Sequence, residues 1–289
     1  MISIDSIREA AALLAGRIIR TPLVYSPTFS GMTGAGIYLK IEAMQKAGSF
    51  KVRGAANRIL SQRGSIGAWG VIAASAGNHA QGVAVAAGIA GIPVTIIMPE
   101  WVSPGKQEAA SAYGAQVILK GTSLEESIIH ARSLAESGAM TFIHPFDDEM
   151  VIAGQGTIGL EILEDLPDAD AIIVPVGGGG LIAGIATAVK ADRPDIRVIG
   201  VQASACPSAA AAIASGRPVT VESFPTIADG IRVTRTGDHT WPALRDLVDE
   251  VVLVDERQIV AAISLLLQRK KILAEGAGAA PLAALLSGA

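Results

Sequence analysis

Ala171-Ile172-Ile173-Val174-Pro175-Val176-Gly177-Gly178-Gly179-Gly180-Leu181 is the stretch that decides the fold class. An apolar, β-branched run ends in four glycines, and a helix-like segment, Leu181–Ala191, follows at once. A continuous run such as Ile172-Ile173-Val174 suits a strand covered on both faces, as in a parallel sheet. Outward from this stretch the same order recurs. Strands are predicted at Ile37–Ile41, Gly70–Ala74, Val94–Met98, Gln116–Leu119, Ala171–Val176, Arg197–Gln202 and Val251–Val254. Helices are predicted near Ser49–Gln62, Asn78–Ala90, Lys106–Tyr113, Ser123–Glu136, Gly156–Glu164, Leu181–Ala191 and Glu256–Arg269, and the alanine run 209–212 also reads as helix. Strands alternating with helices of this length imply βαβ units and mostly parallel sheets, so the class is α/β.

The chain has 289 residues, long for one core, and two domains are expected. No Ser/Gly-rich or charged linker separates them; Gly138 and His144-Pro145 mark a plausible crossing. Half of the residues are hydrophobic and 17% are charged, which suits compact folding. A net charge of −4 provides no electrostatic reason to expect nucleic acid. The single cysteine, Cys206, excludes an internal disulfide and fits a reducing compartment. The apolar runs are strand-sized and the N-terminus carries early charges, so no membrane span or targeting segment is expected and a cytoplasmic protein is.

Three segments could carry chemistry. In Gly48-Ser49-Phe50-Lys51-Val52-Arg53-Gly54-Ala55, Ser49 is a good N-cap, which puts Lys51 in the first turn of a helix. The positive end of the helix dipole there would lower the amine's pKa, as an imine-forming lysine needs. An exposed lysine balancing a surface charge is the competing reading. Ser75-Ala76-Gly77-Asn78-His79 lies between a strand and a helix, where outward N–H groups suit a carboxylate or phosphate. His79 fits a catalytic or a capping role equally. Gly177–Gly180 has no structural use inside an element, but lets several N–H groups approach a phosphate at a helix N-terminus.

A dinucleotide reading fits Gly178, Gly180 and Ala183, yet the next strand ends Val201-Gln202-Ala203 without the carboxylate that would hold a ribose. Metal binding has little support, since His79, His130, His144 and His239 are scattered and Cys206 stands alone. No Gly-x-Ser-x-Gly elbow supports serine hydrolysis.

Taken in order, these segments resemble the fold type II pyridoxal phosphate enzymes, in the branch of threonine/serine dehydratases and serine racemases. The resemblance runs along nearly the whole chain. It includes Arg20-Thr21-Pro22-Leu23, Tyr38-Leu39-Lys40 with Glu42, Gly48–Ala55, Ser75–Gly82, Ile152-Ala153-Gly154-Gln155-Gly156-Thr157, the glycine loop, Ala228-Asp229-Gly230 and Glu275-Gly276-Ala277-Gly278. It implies two domains, each a mostly parallel sheet flanked by helices, with pyridoxal 5′-phosphate in the cleft between them. Residues 1–62 and 146–289 would form the larger, cofactor-binding domain, and residues 63–145 the smaller one. Lys51 would form the Schiff base and, once freed by substrate, remove the Cα proton. Phe50 would pack beside the ring and Asn78 would bond its 3′ oxygen. Gly177, Gly178, Gly179, Gly180 and Leu181 would bind the phosphate, Gly230 would line the ring and Glu275 would approach its far edge. Ser75, Ala76, Gly77, Asn78 and His79 would capture the substrate carboxylate. The implied reaction converts L-threonine, L-serine or a related β-hydroxy amino acid to a 2-oxo acid and ammonia, in a homodimer or homotetramer.

Departures from the family pattern sharpen this. Racemases carry a second serine at position 76, on the cofactor face opposite the lysine; here it is Ala76. A missing acid/base typically costs ~10²–10⁴ in rate, so dehydration is favoured over racemisation. The stretch Gln202–Ser208, which in racemases holds carboxylates for a divalent cation, has none here, and no metal is expected there. Family members continue past Gly288 into a strand and a Ser-Gly-Gly-Asn turn whose serine meets the pyridine nitrogen; this sequence stops at Ala289. The competing readings are a racemase and a non-catalytic relative that binds an amino acid.

Overall fold

The computed structural model of the chain describes residues 2–138 and 140–288. The N-terminal part holds α1 (Ile4–Leu14), β1 (Leu23–Tyr25), α2 (Pro27–Thr33), β2 (Tyr38–Lys40) and α3 (Lys51–Ser61). Next come β3 (Val71–Ala74), α4 (Asn78–Ala90), β4 (Val94–Met98), α5 (Pro104–Ala112), β5 (Gln116–Leu119), α6 (Leu124–Glu136), β6 (Thr141–Phe142) and the long α7 (Glu149–Asp165). The remainder is β7 (Ala171–Pro175), α8 (Gly180–Asp192), β8 (Arg197–Ala203), α9 (Ser208–Ser215), α10 (Trp241–Asp246), β9 (Glu250–Val254), α11 (Glu256–Leu265) and α12 (Gly276–Ser287).

Two parallel sheets organise the molecule. One has the order β5-β4-β3-β6 and lies wholly within residues 63–145; the other, β7-β8-β9, lies wholly within 146–289. Every residue of β3 and β4 is buried, as expected for strands covered by helices on both faces. Helix α3 packs on both α4 and α7, and α7 packs on α8, so α3 bridges the helical layers of the two sheets.

Several expectations change. The strand at 37–41 joins neither parallel sheet: β2 pairs antiparallel with the short β1, which sequence alone did not reveal, in a two-stranded ribbon. Three residues are too few to show a period of two. The helix expected from Gly156 starts seven residues earlier, capped by Asp148, whose side chain accepts from Val151 N. Gly154 and Gly156 lie inside this helix as contact points. A Cβ on Gly154 would lie 2.6 Å from Arg53 O, and one on Gly184 of α8 would lie 2.6 Å from Gly156 N. Glycine here lets helices approach closely, which outweighs its cost of about 1 kcal/mol. Helix α11 ends at Leu265, continues as a π-helical turn over Leu266–Lys270, and stops at Lys271 with φ +57°.

Candidate active site

Helix α3 begins at Lys51, with Phe50 at its cap and no side chain capping it. Ser49 is therefore not the N-cap expected from the sequence: its Oγ is buried and has no hydrogen-bond partner among the described residues. Lys51 Nζ donates to Pro145 O at 2.8 Å and lies 5.4 Å from the centre of the Phe50 ring. Burial pushes the amine down to about 8, while the carboxylate of Glu275 pulls the other way. The lowered basicity thus has desolvation as its main cause, where the sequence had suggested the helix dipole. Helix α4 crosses α3 at this point. A Cβ on Gly82 would stand 2.9 Å from both the Lys51 Cβ and its carbonyl carbon.

The Ser75–His79 loop runs from the end of β3 into α4. Ser75 Oγ accepts from Gly77 N at 3.1 Å, tightening the turn, and the Ala76 methyl packs against the core beneath α4. Asn78 Nδ2 donates to Glu275 Oε1 at 2.7 Å across 197 residues of sequence. His79 is buried, and its Nε2 lies 2.9 Å from Ile143 O. A carbonyl only accepts, so Nε2 carries the proton. Burial first, then the nearby Lys51, lowers the imidazole to about 3, so it stays neutral and fastens the loop to the chain beyond β6. His144, one residue from Pro145, accepts at Nδ1 from Asp147 N (2.8 Å) and Phe146 N (3.3 Å).

The glycine loop links β7 to α8. Gly179 has φ +96°, which L side chains rarely adopt. Each glycine also has a steric neighbour, which corrects the expectation that they have no structural use. A Cβ on Gly178 would run into the Phe146 ring, and one on Gly180 would meet Phe146 Cβ at 2.9 Å. A Cβ on Gly179 would meet Leu244 Cδ1 at 2.6 Å, and one on Gly177 would meet Val233 Cγ2 at 3.1 Å. Gly178 O accepts from Gly237 N (3.1 Å) and Thr240 Oγ1 (2.8 Å). The backbone N–H groups of Gly177 through Leu181 have no acceptor among the described residues. Gly178, Gly179 and Gly180 are buried residues, and their N–H groups are left without a protein acceptor among the described residues. Buried N–H groups are rarely left so, and a row of them at a helix N-terminus fits an anion.

The segment His144–Phe146 joins these parts: Pro145 holds Lys51, and Phe146 packs against Gly178 and Gly180 where side chains would otherwise stand. On another side, Glu275 caps α12 and faces Gly230, where an added Cβ would lie 3.5 Å from Glu275 Oε1. Lys51, Phe50, Asn78, Gly230 and Glu275 are thereby tied into one neighbourhood, with the glycine loop joined to it through Phe146.

The sequence reading missed a buried ionic cluster two residues past Lys51. Arg53 is fully buried and pairs with Glu42 at 2.7 Å and Glu161 at 2.6 Å. Lys40 Nζ lies 2.5 Å from the other Glu161 oxygen and donates to Thr21 O at 2.7 Å. Thr21, Lys40 with Glu42, and Arg53 come from three separate quoted motifs; Glu161 belongs to none. A carboxylate in the otherwise apolar stretch Ile158–Leu163 was the available signal. Among the described residues, no group of three or more His, Cys, Asp or Glu is arranged to hold a metal, and no helix is long and apolar enough to cross a membrane.

Comparison with known proteins gives concordant results. A family profile described as "Pyridoxal-phosphate dependent enzyme" matches residues 14–289. The L-threonine ammonia-lyase of Geobacter sulfurreducens is 51% identical over 287 residues, covering 99% of this chain and 71% of that protein. The solved structure of maize serine racemase superposes with a TM-score of 0.95 at 41% identity, covering 99% of this chain and 86% of that one. The T.th. threonine deaminase gives 0.94 at 42% identity, covering 99% and 92%.

Proposed function

Because this chain belongs to the pyridoxal-phosphate dependent enzyme family, we propose that it is a dehydratase (ammonia-lyase) converting L-threonine, L-serine or a related β-hydroxy amino acid to a 2-oxo acid and ammonia. Pyridoxal phosphate is its cofactor, and the residues present suit that group. The row of N–H groups from Gly177 to Leu181 that have no protein acceptor is of the sign a phosphate needs, and glycine at four of the five positions leaves no side chain there to obstruct it. When bound, the cofactor supplies an electron sink for negative charge at the substrate Cα.

The observation that carries the reading is Lys51, a buried amine with its basicity lowered to about 8 and joined through Pro145–Phe146 to that row of donors. Near neutral pH such an amine exchanges protons readily, as an imine-forming group and a Cα base must. The Pro145 carbonyl orients it. Phe50 flanks it on the apolar side, and Glu275 favours its protonated form after it has taken a proton. Gly230 and Glu275, which adjoin one another, would line the far edge of the cofactor ring, and Asn78, bonded to Glu275, would hold its 3′ oxygen. The turn Ser75–His79 offers its backbone to the substrate carboxylate, with neutral His79 as an anchor rather than a base. Residues 1–62 with 146–289 act as the larger domain and 63–145 as the smaller, in keeping with one parallel sheet in each. A cytoplasmic homodimer or homotetramer is the expected setting.

Similarity to the maize racemase makes serine racemisation the second reading. Ala76 opposes it, since a methyl group neither gives nor takes a proton. Borohydride treatment of purified protein should abolish a visible absorbance band and fix the cofactor on the Lys51 peptide by mass. Release of ammonia and 2-oxo acid from a panel of β-hydroxy amino acids then names the substrate. Retained activity in Lys51→Ala sinks the proposal, and D-serine formed faster than 2-oxo acid turns it towards racemisation.

A further inference from the structure

Gln202 lies near the end of β8, is fully buried, and takes no part in any step above. Its amide serves two other segments at once. Nε2 donates to Val176 O at 3.2 Å and to Ser208 Oγ at 3.4 Å, and Oε1 accepts from Ala209 N at 2.8 Å and Ala210 N at 3.1 Å. The partners fix which end is nitrogen, because a carbonyl cannot donate and an N–H cannot accept. Both donors and both lone pairs of the amide are thus used.

Each partner matters for its place. Val176 is the last residue before the glycine loop; its N–H still bonds Val201 O, but its carbonyl has left the sheet ladder and is held by Gln202. Ala209 and Ala210 are in the first turn of α9, whose cap residue, Pro207, has no side-chain cap; Gln202 supplies it. Ser208, also fully buried, donates to Val233 O at 2.6 Å. Val233 and Ile231 form the wall against Gly177, with Val233 Cγ2 3.1 Å and Ile231 Cα 3.2 Å from where a Cβ would stand. The entry to the loop and its wall are therefore fastened to one another through a single amide and a single hydroxyl.

We propose that Gln202, acting with Ser208, is a positioning residue that sets how the N–H groups of Gly177–Leu181 are presented to the cofactor phosphate. The proposal rests on the reading of that loop as the phosphate cradle. No isosteric residue reproduces the pattern: glutamate cannot donate to Val176 O, and methionine can neither donate nor accept strongly.

The test compares holoenzyme of the parent, Gln202→Met, Gln202→Glu and Ser208→Ala by phosphorus NMR of the bound cofactor, with its dissociation constant measured by reconstitution. In the parent, a phosphate held by five N–H groups keeps its signal fixed through the region near pH 6, where a free phosphate ester titrates. In both Gln202 variants the dissociation constant should rise about 10–100-fold, because buried groups on two segments lose their partner. The phosphorus signal should begin to move with pH. Ser208→Ala, which deletes one bond, should show a rise of about 3–10-fold and keeps the test decisive if the Gln202 variants do not fold. Variants that melt earlier but keep the parent affinity and a fixed signal would overturn the proposal, leaving Gln202 a structural residue only. A parent signal that itself titrates like the free ester would overturn the cradle reading, and the proposal with it, while the borohydride test of Lys51 would stand apart.

Discussion

Gly82→Ala adds one methyl group where α4 crosses α3. The new Cβ would stand 2.9 Å from the Lys51 Cβ and carbonyl carbon, and 3.0 Å from Val52 N. Carbon atoms rest at about 3.5–4.0 Å, so the helices must part by roughly 0.5–1 Å at the lysine itself. None of the three atoms is the free end of a flexible side chain, so the strain falls on backbone and should cost about 1–3 kcal/mol. The functional effect should be larger than the loss of stability suggests. Lys51 starts α3 and the Ser75–His79 loop starts α4, so parting the helices separates the amine from that loop. A misplacement of this size costs on the order of 10²-fold when reacting groups must be aligned. Steady-state release of 2-oxo acid from L-threonine, alongside urea unfolding, measures both effects. Gly88→Ala on the same helix is the control: nothing lies within 4 Å of its added Cβ, and it should gain up to about 1 kcal/mol. If Gly82→Ala keeps kcat/KM within about 2-fold of the Gly88→Ala protein, the close crossing does not position the lysine and the reasoning fails.

Three other outcomes are expected. Glu275→Gln removes the carboxylate that raises the Lys51 amine, so the pH midpoint for acylation of Lys51 in cofactor-free protein should drop below the parent's value of about 8; a parent midpoint near 10.5 would refute burial as the cause. Arg53→Met leaves Glu42 and Glu161 with Lys40 as the remaining cation of the cluster and should cost about 3–5 kcal/mol in denaturant unfolding, whereas an effect below about 1 kcal/mol would show the cluster to be replaceable. Burial holds His79 at about 3 and His144 at about 4, below the ordinary 6.5. The unfolded chain therefore binds more protons below pH 6.5, and stability should fall as pH drops through that value, by up to about 2.7 kcal/mol per pH unit until His144 and then His79 titrate in the folded protein. Urea unfolding across pH 7.5 to 4.5 checks this, and His144→Gln should weaken the dependence; a flat profile would contradict the two neutral imidazoles.

Where a feature depends on neighbours in sequence, it was readable in advance. Val94–Met98, Gln116–Leu119 and Asn78–Ala90 stand in the structure with the bounds read from their apolar runs and flanking turn residues. The glycine loop between strand and helix was equally plain, because four glycines and the run before them are adjacent. Ser49 and Gly156 show where such reading stops. A serine before a helix caps it only if the chain turns to suit, and Gly156, read as a helix start, lies inside a helix that the Asp148 cap begins seven residues earlier. Lys51 depends on tertiary structure entirely: its partner carbonyl is 94 residues away, and the burial that lowers its basicity comes from helices and loops brought together by folding. The same holds for Asn78 with Glu275, and for Arg53 with Glu161. Local chemistry determined most of the elements and the ordered motifs that carry the family resemblance, Lys51 among them. The charge state and orientation of that lysine and the unpaired row of donors at the start of α8 arise only when distant segments exclude water around them, since desolvation and hydrogen-bond partnership are properties of packing rather than of sequence order.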